Sequence, residues 1–137
     1  MAGIPRGLRL NNPGNIRRTQ DRWQGLAAEQ KDPDFFTFVE AKWGYRAMMK
    51  ILRNYRKKYG CTTVTDFIGR WAPSSENDTA AYIRAVCGRM GVNPTAGIDV
   101  NDKGTMCAMA AAMSFVENGR EAVREDVDGG WEALGNG

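Results

Sequence analysis

The sequence GTMCAMAAAMSFVENG, residues 104–119, is the stretch that decides how this chain folds. Its apolar side chains recur at intervals of three and four residues: Met106, Met109, Ala110, Met113 and Val116. This is the spacing of a helix that buries one face. Gly119 then supplies a residue that tolerates the left-handed conformation in which helices end. We therefore expect a central, buried helix over these residues.

Glu117 continues the apolar stripe, four residues after Met113. A carboxylate in that position either enters a wall of low dielectric constant, where its protonated form is favoured, or lies where the helix surfaces into a cleft. Both placements suit acid-base chemistry, and the alternative is a solvated, inert residue of the last helical turn. The pattern makes Glu117 a candidate catalytic residue and leaves both interpretations open.

Length and composition limit the fold and the partners. The 137 residues fit a single domain, residues 1–137, with an ordinary globular content of 42% hydrophobic and 26% charged residues. A net charge of +3 favours acidic partners mildly, among them cell wall, nucleic acid and membrane surfaces. The three cysteines, Cys61, Cys87 and Cys107, are odd in number and form no close pair, so we expect reduced, buried thiols without disulfides. We also expect a monomer.

The chain contains no histidine. This excludes Ser-His-Asp and Cys-His catalysis, the usual zinc peptidase ligands and a histidine base, and we expect neither a metal nor a cofactor. Acid-base chemistry must come from carboxylates, tyrosine or lysine. The first ten residues lack the apolar run of a secretory signal, and no stretch approaches the ~20 apolar residues of a membrane span. We expect a protein made in the cytoplasm, which another machine must deliver to any substrate outside it.

The first third of the chain predicts turns and a small β-hairpin lobe near residues 14–40. Residues 6–18, RGLRLNNPGNIRR, are rich in turn formers and either bring backbone N–H groups into a cleft or only cap the N-terminus. Residues 34–40 read as a short strand with Phe36 and Phe38 on one face.

The rest of the chain predicts a mainly α fold with about five helices. The first begins near Ala41, ends at Gly60 and carries a basic face that is usually solvated but could meet phosphate or wall carboxylates: Arg46, Lys50, Arg53 and Lys57. Further helices are predicted over 65–71, 79–90 and 120–127, the last followed by a glycine-rich tail containing Trp131. The predicted caps are, in order, Thr63 or Thr65, Asn77 or Asp78, and Asp99 or Asn101.

Six separated segments match one pattern: GLRLNNPGNIRR (7–18), WQG (23–25), the Phe-rich strand (34–40), GYRAMMKIL (44–52), TDFIGRWAPSSENDTAAYI (65–83) and FVENG (115–119). In this combination the chain resembles the phage and prophage lysin family that includes the virion-associated lysis enzyme of double-stranded RNA phages. The resemblance covers roughly residues 5–119. It implies a mostly helical, α+β lysozyme-like fold that acts on peptidoglycan glycan strands.

The same segments resemble wall-cleaving glucosaminidases and lytic transglycosylases taken in a shifted order. Residues 12–16 resemble their Asn/Gly-rich segment, residues 44–45 their Gly-aromatic helix, and Thr79 with Tyr82 the helix that follows. In those enzymes a catalytic helix ending in Glu comes first, whereas here that helix comes last. The resemblance implies a circular permutation that returns Glu117 to a cleft beside residues 12–16, since chain ends commonly lie close together.

The resemblance implies that Glu117 protonates the bond between N-acetylmuramic acid (MurNAc) and N-acetylglucosamine (GlcNAc), as a lytic transglycosylase. It implies five substrate-binding residues: Asn12, Asn15, Trp23, Thr79 and Tyr82. Glycosidases usually use two carboxylates, and hydrolysis by a muramidase with a second carboxylate is the alternative. Candidates for the second carboxylate are Glu40 and Glu76, with Glu29 and Asp21 less favoured, and no spacing ties any of them to Glu117.

A non-catalytic virion component or a nucleic-acid binder is the competing class. The basic face of the helix that begins near Ala41 lacks the interleaved aromatic residues of single-strand platforms, and no DNA-reading motif is present, so we expect no nucleic-acid partner. If the protein is instead a peptidoglycan-cleaving enzyme, it would reach the periplasm or cell wall through a holin pore or within a virion.

Overall fold

A computed structural model describes residues 3–135. Met1, Ala2, Asn136 and Gly137, which the predicted domain includes, lie outside the described residues. Over the described range the fold is mainly helical, as predicted, with α1 at Arg6–Arg9, α2 at Ala41–Tyr59, α3 at Val64–Trp71, α4 at Thr79–Met90, α5 at Lys103–Asn118 and α6 at Arg124–Leu134. None of these helices combines the length and the apolar content that crossing a membrane would require.

The central helix is α5, and its apolar face is buried as predicted. Met106, Met109 and Met113 are all 0% exposed, and the helix ends at Gly119 with a φ of 70°. The predicted N-caps were wrong, because the cap is Asp102, whose side chain accepts a hydrogen bond from the Thr105 N–H at 2.9 Å. The preceding residues form a turn of their own and do not begin the helix.

The predicted ends of the other central helices are confirmed. Thr63 caps α3 in a capping box with Asp66, and Asp78 caps α4 by accepting from the Ala81 N–H. Gly60 ends α2 with a φ of 67°. Short polar connectors with such caps fix where α3 and α4 begin, so the turn between them has a defined geometry.

The last helix differs from its prediction. It begins at Arg124 rather than at residue 120, and Trp131 lies within it. Its glycines are packing residues and not a tail, because a Cβ built on Gly130 would lie 2.6 Å from the Cβ of Tyr45. Sequence patterns read such glycines as flexible, whereas here they let α6 lie directly against α2.

This packing also covers part of the basic face of α2 that the sequence suggested was solvated. The Arg46 Nε donates to the Ala133 carbonyl at 3.3 Å, and the Arg53 guanidinium lies 5.2 Å from the centre of the Trp131 ring. Since α6 lies over these two arginines, they serve the packing of the two helices.

The lobe before α2 contains no continuous strand within the described residues. It shows only the isolated antiparallel bridges Arg17–Phe35 and Leu26–Phe38, although Phe36 and Phe38 are both buried as the alternation predicted. Between the two bridges a side chain takes the place of a backbone partner: the Gln30 Oε1 accepts from the Thr37 N–H at 2.8 Å. Backbone groups satisfied in this way have no need of a partner strand.

Candidate active site

The last turn of α5 brings Glu117 to an open cavity of about 330 Å³. Its walls come from residues 14–17, the α2 side chains Ile51 and Tyr55, Trp71 at the end of α3, and the connector before α4. Glu117 is half-buried, so its carboxylate is both held by the protein and reachable from the cavity.

Three side chains from three separate segments donate hydrogen bonds to the Glu117 carboxylate. Asn15 Nδ2 lies 2.9 Å from Oε1, while the Tyr82 hydroxyl and Trp71 Nε1 lie 2.8 Å and 3.3 Å from Oε2. A carboxylate has about four acceptor positions, two on each oxygen. Within residues 3–135, donors take both positions on Oε2 and one of the two on Oε1. The arrangement fixes the orientation of the carboxylate and leaves one site on Oε1 for a proton or a ligand.

Tyr82 is only 7% exposed. Burial, followed by the negative charge of Glu117, raises the pKa of its hydroxyl well above the ordinary value. Tyr82 therefore keeps its proton at neutral pH and serves as a hydrogen-bond donor to Glu117.

The raised pKa of Tyr82 predicts a loss of stability in alkali. An unfolded tyrosine ionises near pH 10, whereas native Tyr82 does not, so its contribution is fully present below that pH and is lost as the pH rises further. For this one residue we expect the free energy of unfolding to fall by up to about 1.4 kcal/mol per pH unit. Urea unfolding at several pH values between about pH 9 and about pH 11 measures this fall. We expect the free energy of unfolding to decrease less steeply with pH for Tyr82→Phe than for the parent. Equal slopes would contradict the assignment.

Asn15 lies in a tight turn with a left-handed backbone, φ 49°, which asparagine tolerates better than most residues. The turn is anchored to α5, because Asn118 Nδ2 donates to the Pro13 carbonyl at 2.8 Å. Asn118 directly follows Glu117, so this bond fixes the catalytic candidate and the turn relative to one another.

The structure brings three of the predicted site residues to Glu117 or to its cavity. Asn15 and Tyr82 bond to its carboxylate, and Glu76 lies on the cavity wall. The contact of Asn15 with Glu117 joins positions 102 residues apart. The opening turn of the chain and the end of α5 therefore share one cavity.

Asn12 and Trp23 lie elsewhere. Asn12 is 0% exposed, and its side-chain amide bonds to the backbone of Ile16 and Phe36, so it has no surface to offer a ligand. Trp23 packs outside the cavity against a small second core, formed by Phe36, Phe38 and Ala47, and its buried Nε1 has no hydrogen-bond partner within residues 3–135. Asn12 therefore stabilises the turn through hydrogen bonds to the backbone, and Trp23 packs on the small second core.

Thr79 also lies outside the cavity walls, because its hydroxyl donates to the carbonyl of Ala72 and closes the connector between α3 and α4. The remaining acidic candidates are exposed and do not line the cavity: Glu40, Glu29 and Asp21. Of the acidic residues considered, only Glu76 shares the cavity with Glu117.

Trp71 is a functional candidate that sequence reasoning misses, because the pattern around it indicates only the end of a helix. Pro73 comes two residues after Trp71 and lies in the short connector that leads to α4, the helix that carries Tyr82. Trp71 and Tyr82, which lie on the two sides of this short connector, can both donate hydrogen bonds. Their closeness in the chain is the signal that both could reach Glu117. Arg17, Phe35 and Tyr55 line the cavity as well, and no spacing had singled them out.

The side chains at this site support proton transfer. Across residues 3–135, no group of three or more cysteine, aspartate or glutamate side chains is placed to bind a metal ion. The cavity offers one oriented carboxylate and walls of aromatic and amide side chains.

No protein-family model matches the sequence. Over 117 residues the chain is 41% identical to Protein P5 of Pseudoalteromonas phage PM2, a match that covers 83% of this chain and 71% of the phage protein. Identity at this level over most of both chains indicates common descent and a shared fold. The chain belongs to the family of bacteriophage proteins that includes Protein P5 of phage PM2.

Proposed function

We propose that this protein cleaves peptidoglycan glycan strands at the MurNAc–GlcNAc bond, with Glu117 as the catalytic acid. The observation that carries the proposal is the Glu117 carboxylate itself, oriented by three donors and open to a cavity. Cavities with aromatic walls and a few placed polar groups suit sugars, which stack through their C–H faces and bond through their hydroxyls. Trp71, Tyr55 and Asn15 supply those groups here.

In the proposed reaction, protonated Glu117 donates its proton from Oε1 to the glycosidic oxygen as the bond to the MurNAc anomeric carbon breaks. The N-acetyl group of the sugar assists by stabilising the positive charge that develops. The Glu117 carboxylate then accepts the proton of the sugar's 6-hydroxyl, whose oxygen closes a 1,6-anhydro ring. Tyr82 and Trp71 hold Oε2 throughout, so that Oε1 keeps its position relative to the bond.

Hydrolysis is the second candidate reaction. If it takes place, the position of Glu76 makes that residue the second carboxylate rather than Glu40, Glu29 or Asp21. Glu76 lines the same cavity as Glu117 and is exposed to solvent. A carboxylate in that place could activate a water molecule to attack the sugar. The two routes give products that differ by one water.

The contact of Asn15 with Glu117 supports a circularly permuted, lysozyme-like α+β arrangement. Two segments expected to lie side by side in such enzymes come here from opposite ends of the chain and still meet. Membership in a bacteriophage protein family supports a role in phage lysis or entry, with delivery through a holin pore or within the virion.

Mass spectrometry of digested peptidoglycan tests the proposal. We expect the purified protein to release soluble muropeptides that end in a 1,6-anhydro ring, and Glu76→Gln to leave that product unchanged. Free reducing ends that disappear in Glu76→Gln would favour the muramidase. No release of muropeptides, together with DNA binding that weakens steeply with salt, would favour a non-catalytic basic protein.

A further inference from the structure

Arg17 is the one lysine or arginine among the described residues that line the Glu117 cavity. The cavity also holds the carboxylates of Glu76 and Glu117. A substrate that carries its own carboxylate would be repelled by Glu76, and by Glu117 whenever it is ionised, unless a cation lies beside the position that the substrate carboxylate occupies.

The guanidinium of Arg17 has no carboxylate within 4.0 Å among residues 3–135. Neighbouring arginines are engaged: Arg6 pairs with Asp32, and Arg18 donates to the Asp32 carbonyl at 3.0 Å. Arg17 is exposed, and its guanidinium carbon lies 5.7 Å from the centre of the Phe35 ring. It is therefore available to an anionic group in the cavity.

The backbone holds Arg17 firmly in the wall. Arg17 forms an antiparallel bridge with Phe35, and on either side of it the Phe36 N–H donates to Ile16 at 3.1 Å and the Arg18 N–H donates to Asp34 at 2.7 Å. A planar guanidinium on a fixed backbone can bind a carboxylate through two parallel hydrogen bonds.

We propose that Arg17 binds a carboxylate of the substrate and so selects muramic-acid-containing strands over neutral polymers of N-acetylglucosamine. This rests on the proposed function. The carboxylate has two sources: the lactyl group of MurNAc in strands without peptides, and the stem peptide in intact wall. Loss of a charge-assisted contact at an exposed site should weaken binding about tenfold.

Binding can be measured without turnover in a Glu117→Gln background. The probes are a peptide-free MurNAc–GlcNAc tetrasaccharide, the same sugar with stem peptides, and neutral chitotetraose, each titrated by calorimetry. We expect Arg17→Gln to weaken binding of at least one carboxylate-bearing ligand about tenfold and to change chitotetraose binding less than about twofold. The ligand affected identifies the source of the carboxylate. Arg22→Gln removes the same charge at an exposed residue outside the cavity and serves as the control.

Equal weakening of all three ligands, or equal effects of Arg17→Gln and Arg22→Gln, would overturn the assignment of Arg17. Cleavage of cell wall by the parent protein is measured separately. If the parent cleaves wall, the proposed function would stand even though the assignment of Arg17 had failed. Failure of the Glu117→Gln background to bind any of the three ligands, with no cleavage by the parent, would instead reject the proposed function and this inference together.

Discussion

Glu117→Gln is expected to lower the rate of peptidoglycan cleavage at least about a thousandfold, because glutamine cannot donate the proton that the leaving oxygen needs. Loss of turbidity of a cell-wall suspension measures the rate. Glu29→Gln makes the same substitution at an exposed residue outside the cavity and should clear the suspension at the parent rate.

The Glu117→Gln variant should fold like the parent. Its amide oxygen can accept from Tyr82 and Trp71 as Oε2 does now. Its amide nitrogen would face Asn15, whose Oδ1 is buried with no hydrogen-bond partner among residues 3–135 and could accept after the Asn15 amide turns over. We expect the free energy of unfolding to change by less than about 1 kcal/mol. A variant with a native melting temperature that still clears wall at the parent rate would show that Glu117 is not the acid.

Local signals were sufficient to predict the helices of the core. The interval between Met106, Met109 and Met113, the cap at Thr63 and the stop at Gly60 each follow from a few neighbouring residues. Prediction failed where the structure depends on distant partners. Trp131 lies in a helix because α6 packs on α2, and the bridge between Leu26 and Phe38 does not extend into a strand because the Thr37 N–H donates to the Gln30 side chain.

The site shows the same division. Glu117 could be placed at a helix end from periodicity, and the resemblance pointed to Asn15 and Tyr82. The prediction that Asn12 binds substrate failed because a polar residue type does not show whether its amide faces a ligand or bonds to the protein backbone. Trp71 was missed because its role depends on how the connector turns between α3 and α4, which no single residue specifies.

Gly44→Ala is expected to destabilise the protein by about 2–3 kcal/mol, or roughly 10 °C in melting temperature. A Cβ at this position would lie 2.4 Å from the Asn11 carbonyl oxygen and 2.5 Å from Pro13 Cδ. Neither the backbone nor a proline ring can give way as the end of a flexible side chain can, so the turn must move away from α2. That turn leads to Asn15, and the displacement should therefore reduce cleavage even at temperatures where the variant is folded.

Gly88→Ala is the matched control for Gly44→Ala. Gly88 is also within a helix, α4, but a Cβ there meets nothing within 4 Å in the part of the chain that the structure describes. Alanine loses less backbone entropy on folding than glycine does, so this variant should be unchanged or stabilised by up to about 1 kcal/mol. Thermal melts of the two variants separate the effects, because helix propensity favours both substitutions and only the close approach opposes one. If Gly44→Ala melts at or above the parent temperature, the turn is not held against α2, and the geometry that brings Asn15 to Glu117 would need another cause.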